Sequence, residues 1–74
     1  MINIKKNDVV FLQEHVFNDN PEKLNKLISS DDCNDILDVL DYWLGFEGFD
    51  KNYNLTKTGL RVQEIYDYVY SNND

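Results

Sequence analysis

One stretch constrains this chain more than any other. In "DDCNDILDVLDYWLG", residues 31–45, the apolar positions Cys33, Ile36, Leu37, Leu40, Trp43 and Leu44 recur at helical spacing. At 100° per residue they fall within roughly 100° of arc, which predicts an amphipathic helix over about 32–44. Asp31, Asp35, Asp38 and Tyr42 fall on the opposite side, with Asp32 and Asp41 flanking them. A helix with so sharp a division must lay its apolar face on other elements. Gly45 is the expected end, because glycine often stands just past a last helical turn.

The rest of the chain offers three more helices to meet that face. "DVVFLQEHVF", residues 8–17, reads as a helix capped by Asn7, with Asp8 in the first turn. It is apolar on several sides, so it is expected to be mostly buried; its VVFL run also suits a strand. In "NPEKLNKLISS" Asn20 caps and Pro21 takes the first position of a helix over 21–29. "TKTGLRVQEIYDYVY" begins a last helix at the cap Thr56, with Val62, Ile65, Tyr66 and Val69 facing inward and Tyr70 bordering them. Between the third and last helices, "GFDKNYNL" reads as a short hairpin, Gly48–Phe49 against Tyr53–Leu55. It is too small to hold unless it packs on helices.

These elements make a mainly α, compact single domain of four helices with a short hairpin. Seventy-four residues allow one domain at most. A hydrophobic content of 42% is too high for a disordered chain. Cys33 is the sole cysteine, which rules out an intrachain disulfide. A reducing cytoplasmic setting is therefore expected, and no segment has the length of a signal peptide core or a membrane span.

The order of elements resembles a winged-helix domain. The residues that carry the likeness are "LDYWLGFEGFDKNYNLTKTGL", 40–60. A helix ending at Leu44-Gly45, an aromatic strand, a turn and then Tyr53-x-Leu55-Thr56-x-x-Gly59 is similar to the wing of bacterial winged-helix regulators. The resemblance implies that Thr56 closes the wing and caps the next helix. A plain four-helix bundle with a loop over 45–55 is the alternative architecture. In size and charge the chain also resembles small phage proteins that inhibit host enzymes.

Function is where the chain departs from the family. A DNA-reading helix presents arginine, lysine, asparagine or glutamine to the major groove. Here the outer face offers Asp31, Asp35, Asp38 and Tyr42. Residues 31–50 contain seven acids and no base, and the formal net charge is −7. Phosphates would be repelled, so direct nucleic-acid binding is not expected. Lys51, Lys57 and Arg61 alone stand where a phosphate contact could form.

The expected function is a small acidic, non-enzymatic interaction module, a regulator or inhibitor docking on a basic protein surface. Its expected surface is Asp31, Asp35, Asp38, Asp41 and Tyr42. Aspartates three and four apart lie about 5–6 Å apart along a helix, near the phosphate repeat of a nucleic-acid strand, so nucleic-acid mimicry is one form of this docking. A solvated face that keeps the protein soluble is the plainer account of the same stripe. The rival function is a DNA-binding winged-helix regulator acting as a dimer. Exposed aromatics rimmed by acid, Tyr42 and Tyr68, have the composition of interface anchors.

No cofactor or metal is expected. "DKNYNLTKTGLR" begins like a calcium loop but has Leu55 where glycine belongs and Arg61 where the bidentate glutamate belongs. His15 and Cys33 supply too few ligands for zinc. As a catalytic pair they are undercut by the expected burial of Cys33. Asn54-Leu55-Thr56 matches a glycosylation acceptor without a signal peptide to deliver it.

Overall fold

In a computed structural model, which describes residues 1–73, the chain forms four helices: α1 (Lys6–His15), α2 (Pro21–Ser29), α3 (Asn34–Glu47) and α4 (Lys57–Asn72). The radius of gyration, 11.7 Å, is close to the roughly 11 Å of a folded chain this long, so the helices make one compact domain. Among the described residues no strand forms, and no helix is long and apolar enough to cross a membrane.

Helix α3 lies at the centre of the packing and makes its most extensive contact with α4. Its fully buried Ile36 and Leu40 meet a core that includes Val62, Ile65 and Val69 of α4, Leu24 of α2 and Leu12 of α1. The expected inner faces of α3 and α4 are therefore the observed ones. Ile2 joins the core from the N-terminal segment, where its backbone N–H donates to the Ile28 carbonyl at 2.9 Å. Asn73 holds the same segment, its amide donating to the carbonyls of Asn3 (2.8 Å) and Val69 (2.9 Å).

The helix ends follow local chemistry. Asn20 caps α2 by accepting from the Lys23 N–H at 3.3 Å, and Pro21 opens the helix as expected. Thr56 caps α4, its hydroxyl oxygen accepting from the Gly59 N–H at 2.9 Å and its O–H donating to the Gly48 carbonyl at 3.2 Å. Gly59 is required by packing: a Cβ there would press on the Gly48 carbonyl oxygen and stand 2.9 Å from Gly48 Cα.

Four boundaries differ from the sequence reading, among them the end of α1, which falls at His15 and not at 17. Helix α1 begins at Lys6, so Asn7 lies inside it, and no side chain caps it. Asp8 stands in the first turn as expected, but buried. It is 1% exposed and pairs with the Arg61 guanidinium, joining α1 to α4. Helix α3 starts two residues later and ends three residues later than the expected 32–44. Its entry is set by side chains in the preceding turn: Ser30 Oγ accepts from the Asp32 N–H at 3.0 Å, and Asp32 Oδ1 accepts from the Asn34 N–H at 2.9 Å. Gly45 does not stop the helix, which continues with ordinary right-handed geometry to the Gly48 cap.

The expected two-stranded hairpin is reduced to one antiparallel bridge, Phe49 with Leu55. Its turn is held by Asp50, whose carboxylate accepts from the N–H groups of Asn52 (2.8 Å) and Asn54 (3.0 Å). Tyr53 takes a left-handed φ of 62° to close it. Without strands, the winged-helix likeness rests on element order alone.

Candidate functional site

The acidic residues of α3 lie on its solvent face. Asp35, Asp38 and Asp41 are exposed, as their phase requires once Ile36, Leu37 and Leu40 turn inward. No basic residue stands in the last turn of α3 to offset them. Tyr42 is 69% exposed and shares this face. Four of the five residues expected to form a docking surface are thus brought together on one rigid helix.

Asp31 is the exception. It lies before α3, in the turn that leads from α2, and its side chain is fully exposed. The N-terminal ammonium donates to Asp31 Oδ1 at 2.7 Å. That hydrogen bond first, and the ammonium's charge second, hold its carboxyl below the usual aspartate range. Asp31 therefore belongs to a contact with the N-terminus and not to the helical stripe. The 32–44 prediction put it in phase with Asp35 because it started the helix too early.

One residue the sequence reading missed completes the face. Because α3 continues through Gly45, Phe46 stands one turn beyond Tyr42 and is 73% exposed. The two rings contact each other with centroids 4.6 Å apart, tilted by 35°. On a helical wheel, Asp35, Asp38, Tyr42 and Phe46 share about 80° of arc. The outer face of α3 is thus acidic over its first two turns and aromatic over its last. The i, i+4 spacing of Tyr42 and Phe46 was the available signal, masked by reading Gly45 as a stop.

Beside this face lies an open groove of about 670 Å³. Val39, Tyr42, Trp43 and Phe46 form its α3 wall. Residues 15–20, the end of α1 and the turn into α2, form the opposite wall with Lys23. His15 sits there with its ring against Phe11, centroids 4.4 Å apart. A second concavity, of about 630 Å³, includes Asp31, Asp32, Cys33 and Tyr70. In it the half-buried Cys33 thiol donates to the Asn73 carbonyl at 3.2 Å. His15 and Cys33 line different concavities. Among the described residues no three His, Cys, Asp or Glu side chains converge in a way that would hold a metal ion.

Two other candidates have partners within the fold. Tyr68 is half-buried and lies under the Lys5 ammonium, 4.8 Å from its ring centroid. It is no free anchor. Arg61 is committed to Asp8 and lies over the Phe11 ring at 5.7 Å, which removes it from the three bases available for phosphate. Lys51 and Lys57 stay exposed.

Comparison with known proteins places no relative beside these features: no protein-family model, curated protein or solved structure matches the chain.

Proposed function

We propose that this protein is a small non-enzymatic interaction module that docks on a basic protein surface through the outer face of α3. Asp35, Asp38 and Asp41 supply the charge, and Tyr42 with Phe46 supplies the aromatic anchor. The observation that carries this reading is the exposed Tyr42–Phe46 pair at the end of an acidic ridge. Two large rings in mutual contact and open to water bury apolar area when a partner covers them. The aspartates steer a cationic surface toward them. A solvated face for solubility alone accounts for the aspartates but not for the rings. A regulator or inhibitor role fits a module that acts by covering a basic site.

The DNA-binding alternative is less well supported by the same features. Its helix face is acidic, its wing is a single bridge, and Arg61 is occupied. The test is capture of the partner with the tagged protein, followed by titration of wild type and the Asp35→Lys/Asp38→Lys variant. Both positions are exposed, so the variant should fold, and circular dichroism checks that it does. Docking through α3 predicts a loss of at least about 100-fold in affinity, as attraction becomes repulsion at two contacts. A folded variant that binds as tightly as wild type overturns the proposal.

A further inference from the structure

We propose that the groove beside α3 receives a basic amphipathic helix of the partner, with its apolar side chains against Trp43 and Phe46 and its lysines or arginines over the acidic rim. This rests on the docking reading above and names the partner's chemistry. The groove is concave where the α3 face alone is convex, and its volume, about 670 Å³, is within the range that takes a cluster of large side chains. One wall is apolar and aromatic: Val39, Tyr42, Trp43 and Phe46. Val39 to Phe46 spans two turns of α3, about 11 Å, which matches apolar anchors spaced i, i+3/i+4 and i+7 on an incoming helix.

Charge decides between occupants. Glu47 and Asp19 line the groove itself, and the exposed Asp38 stands one turn before Tyr42 at the edge of its α3 wall. Lys23 is the one lysine or arginine among the lining residues. A second copy of this chain would set Asp35, Asp38 and Asp41 against their equivalents across a symmetric contact, and the like charges would oppose it. An acidic or neutral helix would gain nothing from the rim. A helix with one apolar stripe flanked by lysine or arginine satisfies both the wall and the rim.

Trp43 is the sole tryptophan and lines the groove, so its emission reports occupancy directly. The probe is a synthetic tryptophan-free helical peptide of about four turns, with leucine and phenylalanine on one stripe and lysine elsewhere. A second peptide keeps the stripe and replaces lysine with glutamate. The lysine peptide should shift Trp43 emission to the blue and saturate; the glutamate peptide should do neither. Two exposed groove positions off α3 separate this proposal from docking on the α3 face alone. Asn18→Phe obstructs the far wall and should weaken the lysine peptide by about tenfold or more. Lys23→Glu deepens the acidic rim and should tighten it several-fold. If the lysine peptide binds while Trp43 emission and both variants stay as in wild type, the groove is not the receptor and the α3-face reading stands without it. Failure of the lysine peptide to bind wild type, or equal binding of the glutamate peptide, also overturns the proposal. The capture experiment with Asp35→Lys/Asp38→Lys then judges the broader reading separately.

Discussion

Replacing Arg61 should cost this domain a large share of its stability, and replacing its partner should cost much less. Asp8 is 1% exposed, while the Arg61 side chain is 37% exposed. Arg61→Met keeps a stem over Phe11 but leaves the Asp8 carboxylate buried without a cation. Removing one partner of a buried pair costs about 3–5 kcal/mol. A chain of 74 residues has only about 4–11 kcal/mol in total. Asp8→Asn leaves the opposite orphan, a guanidinium that reaches water and still donates to the amide oxygen, so the cost falls to about 1–2 kcal/mol. Asp8→Leu/Arg61→Met removes both charges and should return to within about 1–2 kcal/mol of wild type, because an apolar pair replaces a desolvated ionic one. Urea unfolding followed by circular dichroism measures all three. At a slope near 1 kcal/mol per molar urea, Arg61→Met should lower the midpoint by about 3–5 M or leave the chain unfolded in buffer. Equal losses in the two single variants, or a loss below about 1 kcal/mol for Arg61→Met, would refute the reasoning that burial asymmetry sets the cost.

Gly59→Ala should destabilise by about 1–3 kcal/mol despite alanine's better helix propensity, because the new methyl meets the backbone of Gly48; a stabilised variant in the same urea assay would show that the α4–Gly48 approach is looser than described. Tyr53→Gly should stabilise by about 0.5–1 kcal/mol, since an exposed tyrosine at φ 62° gives up no packing when glycine relieves the left-handed strain; a loss of stability would mean the ring has a partner within the fold. Asp31 should titrate by NMR below the usual aspartate range while the N-terminal amine is charged, and return to it on N-terminal acetylation. With its folded pKa depressed, its small contribution is present above the unfolded pKa and lost as pH falls through the folded one; an unshifted Asp31 would remove the N-terminal contact.

Much of this fold is legible in the sequence because its signals are local. Asn20-Pro21 and Thr56 mark helix starts through their own side chains and φ preference, and both caps form. The inward phase of Ile36, Leu37 and Leu40, and of Val62, Ile65 and Val69, follows from periodicity. What local signals cannot carry is pairing between distant elements. Asp8 reads correctly as a first-turn acid, but its burial against Arg61 depends on a contact with α4 across 53 residues of sequence. Gly45 reads as a stop because glycine is permissive, yet permissiveness does not oblige a helix to end. That one misreading hid Phe46 and, with it, half of the exposed aromatic pair. The same helix-3 boundaries explain Asp31: a two-residue error in the start moved it from a turn onto a face. The groove was not readable at all, since its walls come from α3 and from the turn between α1 and α2.

The proposed function requires docking through the outer face of α3. Backbone amide shifts of the isotope-labelled protein, recorded by NMR as the captured partner is titrated in, test it residue by residue. The largest changes should fall on Asp35, Asp38, Asp41, Tyr42 and Phe46, and should fade together as added salt screens the contact. Changes centred instead on Tyr53 and Lys51 at the turn, or on Tyr70 at the far end of α4, would contradict the claim.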